Sequence, residues 1–305
     1  VKKAGGKRSV LTSATLSPAT IGDALRNTGY LPSEGLSTVL FLATAMNRPL
    51  LLEGEPGTGK TSLAEAWAIV TEAELIRLQC YEGIEASQAL YDWDFPRQIL
   101  HLRAVEAAAA GDDLDASALE QSLFHERFLL ERPILKALRS PNAVLLIDEI
   151  DRADDEFEAF LLEVLSTFAV TIPEYGEVKA VTPPMVVITS NRTRELHDAL
   201  KRRCLYHWID HPQLAREIEI IRTRLPDVSV ELATQVAYAV QRIRASDDIL
   251  KPPGVAESLD WARALERLGH EQLDVASAAE TLGAVLKYRE DAERVRRALH
   301  AILSR

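Results

Sequence analysis

The sequence predicts an α/β fold, a three-layer αβα core around a parallel five-stranded sheet followed by an all-α lid, and three observations lead there. Five short apolar runs, at 50–52, 75–80, 143–147, 185–189 and 206–209, are separated by stretches with helical patterning. Strands that alternate with helices make a parallel sheet covered on both faces. A glycine-rich segment, Gly54-Glu55-Pro56-Gly57-Thr58-Gly59-Lys60-Thr61, joins the first run to a helical stretch that opens at Ser62. From about His211 onward the strands stop, and 215–224, 230–245, 256–268 and 275–303 all read as helices. The expected organisation is a flexible tail over 1–16, an αβα core over 17–210 and a helical lid over 211–305.

Each element has a local reason. Ser17-Pro18 is a helix start, predicting a helix to Thr28, and a second helix over 36–47 leads through Pro49 into the first strand. Phe157, Phe160, Leu161, Val164, Leu165 and Phe168 fall at helical spacing and mark one buried face. The alanine-rich stretch 104–110 reads as helix as well.

Composition narrows the function. The 305 residues are 47% hydrophobic and 27% charged, enough for a sizeable core. No run approaches the roughly 20 apolar residues of a membrane-spanning helix, so a soluble chain is expected. Lys2, Lys3, Lys7 and Arg8 make the start basic, but no apolar segment follows, which argues against a secretory signal. The two cysteines, Cys80 and Cys204, stand beside apolar runs and fit a reducing cytoplasm better than a disulfide framework. A net charge of −11 disfavours non-specific nucleic-acid binding and points to a protein or small-molecule partner.

The chemistry starts at the glycine-rich segment. Glycines let successive N–H groups curl toward an anion, and the helix that follows adds its positive end. Lys60 reaches the β and γ phosphates of a nucleoside triphosphate, Thr61 offers its hydroxyl to Mg²⁺, and Ser62 continues the first turn. A second motif, Val144-Leu145-Leu146-Ile147-Asp148-Glu149, is an apolar strand ending in two carboxylates. Asp148 suits Mg²⁺ held through its water shell, and Glu149 suits orienting the attacking water or taking its proton. The run 185–189 ends at Ser190-Asn191, where an amide could hold that water or a γ-phosphate oxygen, or merely stop a strand. Asp198 to Arg203 reads as a short helix ending in Lys201, Arg202 and Arg203. Such cations either stabilise the helix C-terminus or project into a neighbouring subunit's site.

In this order the motifs resemble the AAA+ ATPases over about 20–305, with Walker A at 54–61, Walker B at 144–149, sensor 1 at Asn191 and an arginine finger at Arg203 with Arg202. The chain is similar to the MoxR group, closest to the branch that accompanies molybdenum-containing carbon monoxide dehydrogenase. The resemblance implies ATP and Mg²⁺ as cofactors, a ring, usually a hexamer, with each site shared by two subunits, and chaperone-like maturation of a metalloenzyme beside a von Willebrand factor A-domain partner. It also implies a pre-sensor-1 hairpin at about 169–180, a helix-2 insert at about 82–100, and an adenine pocket at Tyr30 and Leu31. Where relatives carry a sensor-2 arginine, this chain reads Pro252-Pro253-Gly254-Val255-Ala256-Glu257-Ser258. Either Arg263 substitutes or the lid senses nucleotide differently.

Weaker signals remain. Cys204, His207 and His211 have a zinc-like spacing, but on a strand 204 and 207 face opposite sides and no fourth ligand is evident. Tyr91, Trp93 and Phe95 read as packing aromatics rather than a gripping loop. Two rival functions use the same loop: a small-molecule kinase, for which no acceptor motif is visible, and a nucleotide-gated scaffold with negligible hydrolysis.

Overall fold

The computed structural model describes residues 16–109 and 116–304. The expected tail lies outside them, apart from Leu16. Helix α1 (Pro18–Asn27) starts as its sequence predicts, with Ser17 accepting from Thr20 N and Pro18 in the first turn. Helix α2 (Leu36–Ala45) leads into strand β1 (Leu50–Glu53), which runs into the glycine-rich loop and helix α3 (Lys60–Thr71). Strand β2 (Glu74–Gln79) follows, then α4 (Ala86–Leu90), β3 (Tyr91–Trp93), α5 (Phe95–Ala109), α6 (Ala116–Leu123), β4 (Leu129–Glu131) and α7 (Pro133–Arg139). Next come β5 (Ala143–Asp148), α8 (Asp155–Thr167), β6 (Ala169–Ile172), β7 (Gly176–Lys179), β8 (Met185–Ser190), α9 (Asp198–Arg203) and β9 (Leu205–Trp208). Helices α10 (Leu214–Arg224), α11 (Val230–Arg244), α12 (Val255–Arg267), α13 (Val275–Val285) and α14 (Arg289–Leu303) complete the described chain.

The five expected strands form one sheet in the order β2-β5-β8-β1-β9. Strands β2, β5 and β8 are parallel, with Gln79 opposite Asp148 and Ile147 opposite Ile188. Every residue of β1 and of β5 is buried, so both faces of the sheet are covered there, as their unbroken apolar runs require. Strands β6 and β7 make an antiparallel hairpin at 169–179, and β3 pairs with β4. The segment around 82–100 is therefore tied to a strand well beyond it in the chain.

The chain packs as two compact units. One contains Thr38–Leu52 and Trp67–His207, the other Leu16–Ser37, Glu53–Ala66 and the residues from Trp208 on. The core of the first gathers Ile76, Leu145, Ile147, Phe157, Leu161 and Ile188. That of the second gathers Ile221, Leu232, Val240, Trp261, Leu282 and Val295, with Trp261 Nε1 donating to Thr281 Oγ1 at 2.7 Å.

Two expectations change. The helix expected over 275–303 is two helices: Leu286 turns extended (φ −115°, ψ 134°), and Lys287 donates back to the Gly283 and Ala284 carbonyls, ending α13. Periodicity alone does not register such a break, because the apolar positions resume in α14. Of the three aromatics expected to pack, Trp93 is buried and meets Tyr91 and Phe124 edge to face at 6.2 and 5.3 Å, but Phe95 is 59% exposed. It opens α5, one residue past the corner that Asp94 makes by accepting from Arg97 N.

Candidate functional site

In the second unit the glycine-rich loop is built from backbone. Gly54, Gly57 and Gly59 have φ of 155°, 77° and 91°, a region that side-chain-bearing residues rarely enter. A Cβ on Gly54 would collide with the Ile209 carbonyl. Lys60, only 6% exposed, starts α3 and donates from Nζ to the Gly54 and Glu55 carbonyls at 2.8 Å each, while Thr58 Oγ1 donates to Glu55 O at 2.9 Å.

The loop forms one wall of a cavity of about 250 Å³, with Gly57, Thr58, Gly59, Thr61 and Ser62 lining it. Gly29, Tyr30 and Leu31 line another part, and Pro212, Ile220, Val255 and Leu259 add apolar surface. The structure thus brings Tyr30 and Leu31 together with the loop. Burial pushes the Tyr30 phenol pKa up, against the opposing pull of Arg216. Arg216, from α10, also lines the cavity and donates from Nη2 to Leu31 O at 2.7 Å, while its Nε is buried without a partner among the described residues. Burial draws its pKa down. Nothing in the sequence singles this arginine out among the charged residues of α10.

In the first unit the second motif is built from side chains. Asp148, 3% exposed at the end of β5, accepts from Thr189 Oγ1 and from Arg77 Nη2, each at 2.5 Å. Glu149 follows in the left-handed region at φ 56°, a conformation costing a non-glycine residue about 1–3 kcal/mol. That turn separates the two carboxylates. The Glu149 N–H donates to Thr189 Oγ1 at 2.9 Å, and its carboxylate meets Asn191 Nδ2 at 3.3 Å, Gln79 Nε2 at 3.2 Å and Arg152 Nε at 2.8 Å. Asn191 and Glu149, expected to share a site, are therefore in contact.

Asp151 supports this corner. Its buried carboxylate accepts from Asn191 N at 3.2 Å, Thr193 N at 2.9 Å and Thr193 Oγ1 at 2.6 Å. Burial alone would raise its pKa, but these hydrogen bonds more than offset that and leave it below the usual value. Cys80, at the end of β2, is buried near Asp148, Asp151 and Glu149. Its thiol is pushed up to about 12 by burial and then by those charges, so it is inert packing. Burial likewise pushes Cys204 up to about 12.

Arg202 and Arg203 end α9 with exposed side chains that make no hydrogen bond or ion pair among the described residues. Their backbone is clamped. Arg48 donates to Arg202 O at 2.6 Å, Arg203 O at 3.1 Å and Cys204 O at 3.2 Å, so one guanidinium holds three consecutive carbonyls. Among the described residues no group of three or more His, Cys, Asp and Glu side chains is gathered to hold a metal, and the Cys204, His207, His211 spacing yields no such centre.

Spacing along the chain does not single out Arg77, Gln79, Thr189, Arg152 or Arg48; their roles come from strand register and chain corners. An uncharacterized protein of Staphylococcus aureus (strain bovine RF122 / ET3-1) is 26% identical over 172 residues, which are 54% of this chain and 57% of that protein. One of strain USA300 matches equally. The chain thus spans little more than half the length of the curated relatives it matches. Among solved structures, the Thermotoga maritima RuvB Holliday junction branch migration motor is similar with a TM-score of 0.46 and 18% identity, covering 97% of this chain and 79% of that one. An alanine-to-serine mutant of the same motor gives 0.48 and 20%, covering 89% and 74%. The AAA domain (dynein-related subfamily) matches residues 49–204, a span that holds the glycine-rich loop, both carboxylates, Asn191 and Arg203. By that match over half its length, the chain belongs to the AAA domain family, in its dynein-related subfamily.

Proposed function

We propose that this chain is an ATP hydrolase of the MoxR type, which works with Mg²⁺ in a ring, usually a hexamer, and remodels or matures a metalloenzyme client. The observation that carries the nucleotide reading is the cavity whose wall combines the phosphate loop with Tyr30 and Leu31. It offers the backbone of the loop to phosphates, and an aromatic and apolar side to a base.

The donor set suits the metal. Thr61, a hydroxyl-bearing residue, is among those that line that cavity, and Asp148 is a buried carboxylate already matched to a cation, Arg77. By the resemblance Thr61 and Asp148 would hold Mg²⁺, which would supply neutralising charge to the phosphates. Lys60 binds the β and γ phosphates. Glu149, oriented by Asn191 and Gln79, takes a proton from the water that attacks the γ phosphorus, as the bond to the bridging oxygen breaks and ADP leaves. Arg203, with Arg202, neutralises charge at a neighbouring subunit's site.

The family membership, the motif order and the two exposed arginines support this reading. A molybdenum-containing carbon monoxide dehydrogenase as client, a von Willebrand factor A-domain partner and a cytoplasmic location belong to the same proposal, and rest on the resemblance. No helix among the described residues is long and apolar enough to cross a membrane.

Steady-state phosphate release at protein concentrations that span assembly tests it. Glu149→Gln should lower turnover by about 10²–10⁴-fold while retaining ATP binding. Turnover that survives this change and ignores oligomerisation would sink the proposal. Phosphate appearing on an acceptor would mean a kinase, and no turnover in the wild type a scaffold. The proteins captured by Glu149→Gln in ATP identify the client: a metalloenzyme or an A-domain protein supports the branch, and their absence counts against it.

A further inference from the structure

The sequence leaves α12 without an arginine at its start, and the structure places a different contact there. Gly254 lies against Gly57 of the phosphate loop: a Cβ added to Gly254 would stand 2.6 Å from the Pro56 carbonyl oxygen and 3.0 Å from Gly57 Cα. Val255 and Ala256 donate their backbone N–H groups to the Gly57 carbonyl at 3.0 and 3.3 Å. Glu257 closes the turn by accepting from Gly254 N at 2.9 Å. Two donors of the first turn of α12, which a helix leaves unpaired, are thus satisfied by the loop.

A buried network holds this turn from behind. Glu217 of α10, fully buried, accepts from both terminal nitrogens of Arg244 in α11 at 2.7 Å each, and from Ser258 Oγ at 2.6 Å. Arg244 Nε also donates to Pro253 O at 2.5 Å. Residues on either side of Gly254 are therefore fixed through two other helices. A buried pair of this kind is costly to break from one side, so it specifies where 253–258 must lie.

We propose that this bracket aims the phosphate loop at its ligand, with Gly254 as the positioning residue that lets α12 close onto Gly57. The peptide unit is planar and trans, so the Gly57 carbonyl and the Thr58 N–H point in opposite directions. A carbonyl tied to Val255 and Ala256 turns the Thr58 N–H away from α12 and toward the phosphates. The inference rests on the nucleotide reading above, and it adds that docking of α12 and phosphate binding are linked. Each then favours the other by the same factor. It also accounts for a lid with no arginine in 252–258, because the lid here reads the loop through its backbone.

Titrating the full chain with ATP and, separately, with adenosine tests this. Gly254→Ala should weaken ATP binding about tenfold, while adenosine, which has no phosphate, stays within about twofold of wild type. Gly283→Ala, in α13 with nothing within 4 Å of an added Cβ, is the control and should change neither. Glu217→Gln loosens the bracket without touching the loop and should also lower the preference for ATP over adenosine, which keeps the test open if Gly254→Ala does not fold. Unchanged ATP affinity in both variants, or equal losses for ATP and adenosine, would overturn the inference. A wild type that binds neither ligand breaks the nucleotide reading itself.

Discussion

Around the phosphate loop the groups that matter are backbone: three glycines at positive φ, carbonyls that take Lys60 Nζ, and a Gly57 oxygen that takes two helix N–H groups. Around Asp148 and Glu149 they are side chains: Arg77 and Gln79 from β2, Thr189 from β8, Asn191 just past it, and Arg152. The contrast separates two ways of making a site. Backbone sites are specified by which residues can adopt a conformation, and glycine announces that in the sequence. Side-chain sites are specified by which strands are neighbours, and each member can be removed singly.

The sharpest trial of the second kind is Arg203→Ala. If exposed arginines of the first unit complete a neighbour's site, ATP binding should stay within a few-fold of wild type while hydrolysis falls about 10³-fold or more. Mixing this variant with Lys60→Ala subunits should then restore some activity. Absence of complementation would leave Arg203 as a helix-end cation.

Asp151→Asn removes the charge and turns one of the two oxygens that three donors share into a donor, and should lower stability by about 1–3 kcal/mol, read as a shift in the urea midpoint. The pH dependence has a definite sign. The Asp151 carboxyl lies below its ordinary 3.8 in the fold, so its stabilising contribution is complete above that value and is lost as pH falls through the folded pKa. The gap between wild type and Asp151→Asn should therefore be flat at neutral pH and close in acid. A gap that widened in acid would contradict the hydrogen-bond account.

A smaller effect is expected from Arg48→Gln. It releases three carbonyls at the end of α9 without touching Arg203's guanidinium, and should cut assembled turnover about tenfold with ATP affinity unchanged. Arg48→Lys should recover part of it, because an ammonium can bridge fewer carbonyls in fixed geometry. A loss of ATP affinity equal to the loss of turnover would make Arg48 a general structural residue instead.

Much of this is legible in the chain itself, for the same reason. All five strands of the sheet stand where apolar runs place them, because buried parallel strands tolerate few polar interruptions. The phosphate loop is readable residue by residue. Gln79 is not: it is simply the last residue of an alternating strand until β2 is seen to pair with β5, which sets it opposite Asp148. Arg77 needs the same register, and Thr189 that of β5 with β8. Phe95 departs from its expected burial because an aromatic's burial depends on a corner. The break after Val285 is invisible to periodicity because side-chain spacing carries no record of a carbonyl capped by a lysine three or four residues on.

Strand β1 gives the arrangement of Arg48 a further meaning. The clamp at Arg48 and Pro49, whose carbonyl takes the Leu205 N–H, stands directly before the strand that lies between β8 and β9 in the sheet. The end of α9 therefore cannot shift without pulling on a strand flanked on both sides. The reach of Arg202 and Arg203 is then set by the sheet rather than by the six-residue helix that carries them.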